Sequence, residues 1–248
     1  AEAFVRRWWN AVGYTPEGII RGSSMWEMLT EVDDTVCVPY PYVGLQDMTY
    51  GLRKQELVTI TAGSGLGKSA FVRELMHHLL NVTDDNIGCM FFEESTKRTG
   101  IGFLSISANK PLHLPDHGVS LDELRVAYDA TLNTDRVFFY DSYGSNTLEN
   151  IISHVRHMAK SLDCKWIVLD HLSIIVSSQE NGDERKAIDE IVTKLRELIQ
   201  ETKIGLLMVS HLRRPQGVGH EDGAETSLSQ LRGSAAIAQL SDMVIGLE

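Results

Sequence analysis

The chain has 248 residues, of which 43% are hydrophobic and 23% charged, proportions that suit one large α/β domain with or without an appendage. A formal net charge of −11 excludes a protein coated in positive charge for wrapping duplex DNA, but it permits a narrow basic channel, because binding follows local charge. No run reaches the roughly 18 apolar residues of a membrane span, and the first residues lack a signal-peptide core, so no membrane association is expected.

Residues 1–43 read as an N-terminal linker or subunit-docking segment. Phe4, Val5, Trp8 and Trp9 form an amphipathic stripe, Gly13 to Gly18 interrupts it, and Met25–Leu29 predicts another short helix. Pro39-Tyr40-Pro41-Tyr42 reads as a stiff, extended connection. Such a stripe packs on its own domain or docks as an arm on a neighbouring subunit.

From Gly44 to Glu248 strand-like and helix-like segments alternate. Leu57–Thr61 predicts a strand, and Lys68–Leu80 a helix with Phe71, Val72, Leu75 and Leu79 on one face. Ile87–Phe92 is a second strand ending in Glu93-Glu94-Ser95, and the prolines and glycine of Asn109–Gly118 mark a surface loop. Val137–Tyr140 ends in Asp141, after which Asn146 and Glu149 read as an N-cap and its capping-box glutamate. The helix that follows carries Leu148, Ile151, Ile152, Val155, Met158, Ala159 and Leu162 at helical spacing. Trp166–Leu169 ends in Asp170-His171, and a helix opens at Asp183–Lys186 with an apolar stripe from Ile188 to Ile199. Gly205–Ser210 runs into His211, and Met243–Leu247 is a sixth strand. Alternation of this kind predicts a mostly parallel sheet flanked by helices on both faces, with ligands at the carboxyl ends of the strands. Lys68, Glu93, Asp141, Asp170 and His211 all follow such ends.

Between the first strand and its helix lies Ala62-Gly63-Ser64-Gly65-Leu66-Gly67-Lys68-Ser69. A strand, a glycine-rich turn, Gly-Lys-Ser and a helix are the order a phosphate-binding loop requires. Gly63, Ser64, Gly65 and Gly67 let several backbone N–H groups face one anion, and the helix dipole adds positive potential. Lys68 reaches the β- and γ-phosphates, and Ser69 holds Mg²⁺. The first glycine of the usual pattern is Ala62 here, at a position that needs a small residue. A dinucleotide fingerprint is excluded, since its third glycine would fall on Lys68. The chain is expected to bind a nucleoside triphosphate.

Asp170 has the context of the acidic residue that completes the Mg²⁺ shell of such a site. Glu93, directly after Phe91-Phe92, is the first choice of two adjacent carboxylates to orient and deprotonate the attacking water. His211 is placed to hydrogen-bond the γ-phosphate and report its loss to the next loop. That loop, rich in glycine and polar residues, starts with Arg213 and Arg214, which suit nucleic-acid phosphates or a solvated basic pair equally. Small residues in Arg232-Gly233-Ser234-Ala235 allow close backbone approach. Cys37, Cys89 and Cys164 are isolated and odd in number, and read as reduced thiols of a cytoplasmic protein.

Several of these segments together resemble one family: Ala62–Ser69, Phe92-Glu93-Glu94-Ser95, Val168-Leu169-Asp170-His171-Leu172-Ser173-Ile174, Asp183-Glu184-Arg185-Lys186, Ser210-His211-Leu212, Leu231-Arg232-Gly233-Ser234 and Gln239-Leu240-Ser241-Asp242. In this order they look like the helicase domain of phage primase-helicases, relatives of the bacterial replicative ring helicases with a RecA-like P-loop NTPase core. The likeness runs from about Gly44 to Glu248. It implies a hexameric ring that hydrolyses ATP or dTTP with Mg²⁺ between subunits and moves 5'–3' along single-stranded DNA, alongside a primase domain and a replicative polymerase. It makes Lys68, Glu93 and His211 catalytic, Ser69 and Asp170 the metal ligands, and Arg213, Arg214, Arg232 and Gly233 DNA-facing. The Trp8 stripe would dock on the next subunit. The competing expectations are a RecA-like recombination or regulatory ATPase that binds DNA without unwinding it, and a small-molecule kinase on the same loop. Two departures stand out. Gln216 to Gly223 holds none of the lysines usual in the DNA-facing loop, and the strands that carry the family's arginine finger would lie beyond Glu248. With no finger assignable, slow hydrolysis is expected, since such a finger contributes about 10³–10⁵ in rate.

Overall fold

The computed structural model describes residues 20–30, 37–63, 65–141, 147–172, 184–212, 226–231 and 235–248. The chain divides into two compact units, residues 1–36 and residues 37–248. In the first, Gly22–Ser24 forms a single 3₁₀ turn and Trp26–Thr30 a short helix (α1), with Trp26 and Leu29 exposed. The Trp8 stripe lies outside the described residues.

The second unit is built on six parallel strands: β1 (Leu57–Ala62), β2 (Asn86–Phe91), β3 (Val137–Phe139), β4 (Cys164–Asp170), β5 (Gly205–His211) and β6 (Met243–Leu247). Their spatial order is β3-β2-β4-β5-β1-β6. Every pairing is parallel, so each neighbour is reached through a crossover, and helices must cover both faces.

Successive strand residues point to opposite faces, and here each face meets its own core. Leu57, Met90, Ile167, Leu169, Leu206 and Met208 pack with α6 (Leu148–Lys160), α7 (Glu184–Thr202) and α8 (Ala235–Leu240). Val58, Ile60, Cys89, Trp166, Val168 and Leu207 pack with α3 (Lys68–Val82) and α4 (Thr96–Ala108). Val38 and Tyr40 are buried in this second core, and Val38 pairs with Leu52 in an antiparallel bridge. The Pro-Tyr-Pro-Tyr stretch is therefore packed against the sheet.

Three helices escape the periodicity argument: α2 (Val43–Thr49), α4 and α5 (Leu121–Ala130). The α4 segment holds two glycines and several β-branched residues, which blur any helical signal. At one of them the Arg73 side chain of α3 lies close, since a Cβ on Gly102 would stand 2.6 Å from its guanidinium and the arginine would have to shift. Ahead of α5, Ser120 and Glu123 form a full capping box, a signal legible in Ser-x-x-Glu. The N-cap of α6 is Thr147, whose side chain accepts from the Asn150 N–H. The cap expected at Asn146 is thus one residue later, and Asn146 itself lies outside the described residues.

Candidate functional site

Because β1 lies between β5 and β6, and β4 between β2 and β5, the carboxyl ends of four strands carrying polar residues adjoin. Ala62 pairs with His211, and Phe91 with Asp170. The residues after β1, β2, β4 and β5 therefore share one edge of the sheet.

Ala62 is still strand and buried, which explains why alanine fits where a glycine is usual. The turn tightens later, at Gly65 and Gly67, with φ of +79° and +81°, conformations that glycine adopts without a Cβ penalty. Ser64 lies outside the described residues. Gly67 is the N-cap of α3, so Lys68 is its first residue. The Lys68 ammonium is buried and donates to the carbonyl oxygens of Gly63 at 2.7 Å and Ala62 at 3.1 Å. Burial pushes its pKa down, while the charges of Asp170 and Glu93 oppose that shift. The lysine is thus held against the phosphate loop, within the field of both acidic residues.

Ser69 at the start of α3 stands beside Asp170 at the end of β4, and its hydroxyl favours the ionised carboxylate. Asp170 is buried, and burial raises its pKa, with the Ser69 hydroxyl and the His171 ring acting the other way. A hydroxyl and a carboxylate oxygen are hard donors of the kind Mg²⁺ takes, so the two residues fit that ion.

The neighbours Glu93 and Glu94 are divided by their contacts. Glu94 accepts from Arg73 at 3.0 Å and from the Thr99 hydroxyl at 2.9 Å, which ties α3 to α4. Glu93 is exposed, and its Oε1 lies 2.5 Å from Nε2 of His171, an ion pair when that ring is protonated. The contact is close without the alignment of a hydrogen bond, and among the described residues neither ring nitrogen of the buried His171 has a hydrogen-bond partner. The His171 ring meets His211 edge to face, with centroids 4.1 Å apart.

Lys68, Ser69, Glu93, Asp170 and His211 thus come together as the motifs predict. Asp141 does not join them: it is exposed after the edge strand β3. Arg213, Arg214, Arg232 and Gly233 lie outside the described residues. His171 is the residue that sequence reasoning passed over. Its signal was its place directly after Asp170 at a buried strand end. Among the described residues the three cysteines are unpaired, and burial raises the thiol of Cys164 to about 12, so it is an inert core group. Among the described residues no helix is long and apolar enough to cross a membrane.

The arrangement can bind a polyphosphate, place a divalent ion and present a carboxylate to a water. Residues 37–248 match the model of the DnaB-like helicase C terminal domain. The DNA helicase/primase of Enterobacteria phage T3 is 34% identical over 256 residues, covering 100% of this chain and 45% of that protein. The replicative DNA helicase DnaC of Bacillus subtilis is 23% identical, covering 85% of this chain and 47% of its own length. The chain thus spans less than half of these curated relatives. Among solved structures, a DnaB-like replicative helicase, solved in work on its interactions with primase, superposes with a TM-score of 0.74 at 20% identity, covering 98% of this chain and 61% of that one. A separately solved ATPase domain also gives 0.74 at 20% identity, covering 90% of this chain and 80% of that one.

Proposed function

This chain belongs to the DnaB-like helicase C-terminal domain family, with its RecA-like fold, and from that premise we propose that it is the motor of a replicative DNA helicase. Supporting this reading above all is the convergence of Lys68, Ser69, Glu93, Asp170 and His211 on one sheet edge, a nucleotide-hydrolysing constellation within a helicase family. ATP or dTTP binds with its phosphates on the loop from Gly63 to Ser69. Lys68 exchanges its bonds to the Ala62 and Gly63 carbonyls for phosphate oxygens, and Glu93 takes the proton of the attacking water. His171 holds the Glu93 carboxylate in place and connects it to His211, which reads the γ-phosphate. Ser69 and Asp170 would hold Mg²⁺, which when bound would neutralise phosphate charge.

Six copies form a ring, each site lying at a subunit boundary, with the N-terminal segment docking on the next copy. Arg213, Arg214, Arg232 and Gly233 face single-stranded DNA in the channel, along which the ring moves 5'–3' in the cytoplasm. A primase domain and a replicative polymerase are its partners.

The test is nucleotide hydrolysis with and without single-stranded DNA, with Lys68→Ala as the control, followed by a forked-duplex unwinding assay. DNA-stimulated hydrolysis and unwinding, both lost in the variant, are expected. Stimulation without unwinding would favour a DNA-binding ATPase of the recombination type. Hydrolysis indifferent to DNA would overturn the reading.

A further inference from the structure

Glu93, His171 and His211 each offer one ligand atom, and these atoms lie within 4.8 Å of one another. A tetrahedral Zn²⁺ holds donors at about 2.0–2.2 Å, which sets neighbouring donors about 3.3–3.6 Å apart. The cluster is therefore near the size of such a site before any ion arrives. Two imidazoles and a carboxylate match the taste of Zn²⁺, Co²⁺ or Ni²⁺, whereas Mg²⁺ prefers an all-oxygen shell.

A second observation points the same way. His171 is almost fully buried, its Nε2 lies 2.5 Å from the Glu93 carboxylate, and among the described residues its Nδ1 has no hydrogen-bond partner. A buried polar atom left without a partner costs about 1–3 kcal/mol, and a bound cation is one way to satisfy it. Glu93 is exposed, which gives an ion a way in. Lys68 brings one positive charge to this edge of the sheet, and it answers to Asp170 as well as to Glu93.

We propose that Glu93, His171 and His211 form an inhibitory site for a transition-metal cation of the Zn²⁺ class, separate from the Mg²⁺ ligands Ser69 and Asp170. The ion takes the Glu93 lone pair that must receive the proton of the attacking water, so occupancy stops hydrolysis and its removal restores it. Three protein ligands leave a fourth position for water. The binding half stands on geometry alone, and the inhibitory half rests on the reading of Glu93 as the base.

The probe is Co²⁺, whose visible absorption reports coordination, titrated into the full chain and then displaced by Zn²⁺. Intense bands of four-coordinate Co²⁺ at one equivalent, bleached by Zn²⁺, are expected. Glu93→Gln alters an exposed side chain and leaves folding intact, and His211→Asn removes a second ligand. Each should weaken Co²⁺ binding at least about tenfold. His113→Ala changes an exposed histidine elsewhere and should leave binding as it was. Co²⁺ binding that survives both ligand variants, or is lost with His113, overturns the site. In the wild type under excess Mg²⁺ and nucleotide, Zn²⁺ should abolish hydrolysis and a chelator restore it. Hydrolysis that continues with the site filled overturns the inhibitory role. A Co²⁺ site intact in a protein without hydrolysis under any condition supports the binding half and counts against the helicase reading.

Discussion

Glu93 and Glu94 are adjacent at the end of β2 and face opposite surroundings, the first side chain 56% exposed and the second 12%. Glu94 is committed to Arg73 and Thr99 and so fastens α4 to the helix of the phosphate loop. Glu93 has His171 beside it and is open to a water. Glu93→Gln should lower hydrolysis by about 10²–10⁴-fold while nucleotide binding and melting temperature stay close to wild type. Glu94→Gln should do the reverse, keeping turnover within a few-fold and costing about 1–3 kcal/mol of stability. Paired rate and melting measurements decide this, and a dead Glu94 variant beside an active Glu93 variant would exchange the two roles.

Asp170 carries a second prediction. Burial raises its pKa in the folded protein above the ordinary 3.8. A group whose folded pKa is raised stabilises the fold when protonated, and that contribution is lost as pH rises through the folded value. At neutral pH the ligand-free protein therefore holds a buried charge at a cost, and Asp170→Asn removes that cost. The variant should melt at or above the wild-type temperature at pH 7, with the difference shrinking as pH falls toward 3.8. With Mg²⁺ and nucleotide present the order should invert, because only the wild type gains from the complex. A ligand-free variant less stable than wild type at pH 7 would show that the Ser69 hydroxyl and the His171 ring outweigh the burial penalty.

Lys68 is tested by the same melting experiment. Its ammonium satisfies the Ala62 and Gly63 carbonyls, but burial disfavours its charge, so these effects oppose each other. Lys68→Ala should therefore change ligand-free stability little. At nucleotide concentrations near 100 times Kd the wild type should gain about 2.7 kcal/mol, and the variant should gain almost nothing. A nucleotide-induced shift of equal size in both would remove Lys68 from the phosphate site.

Much of this site was legible in the sequence, because a parallel sheet buried on both faces advertises its strands as unbroken apolar runs. The first polar residue after each run sits at the carboxyl edge, as Asp170 and His211 do. What the runs do not encode is neighbour order: β1 pairs with β5 and β6, contacts made across more than a hundred residues of chain. His171 was passed over for a related reason. Reading strand ends stops at Asp170, and only the packing of β2 against β4 brings the next residue to Glu93. In α4 the two glycines weaken the helical pattern, and the Arg73 side chain of α3 packs close beside one of them. Asp141 shows the opposite error, a strand-end carboxylate whose strand lies at the edge of the sheet.

The core offers a prediction independent of any ligand. Gly205 begins β5 opposite Trp166 of β4, and a Cβ there would stand 2.4 Å from the indole ring and 3.2 Å from the Arg53 carbonyl oxygen. Trp166 cannot readily move aside, since its ring is fully buried and its Nε1 donates to Asp85 at 2.9 Å. Asp85 in turn is paired with Lys54. Gly205→Ala should thus force strain on a locked ring and cost about 1–3 kcal/mol, or more if the Asp85 bond breaks. In a domain of this size that is a fall of roughly 2–4 °C per kcal/mol in melting temperature. Trp166→Leu alone should also destabilise, by opening a cavity and removing the indole hydrogen bond to Asp85, whose carboxylate keeps Lys54 as its partner. In the double variant the smaller Leu side chain frees room for the new methyl group. The two losses should then add to less than their sum, a coupling that a double-mutant cycle measures directly. Strict additivity would mean that the clash is relieved by backbone movement at β5 and that the Trp166 ring does not set the glycine requirement.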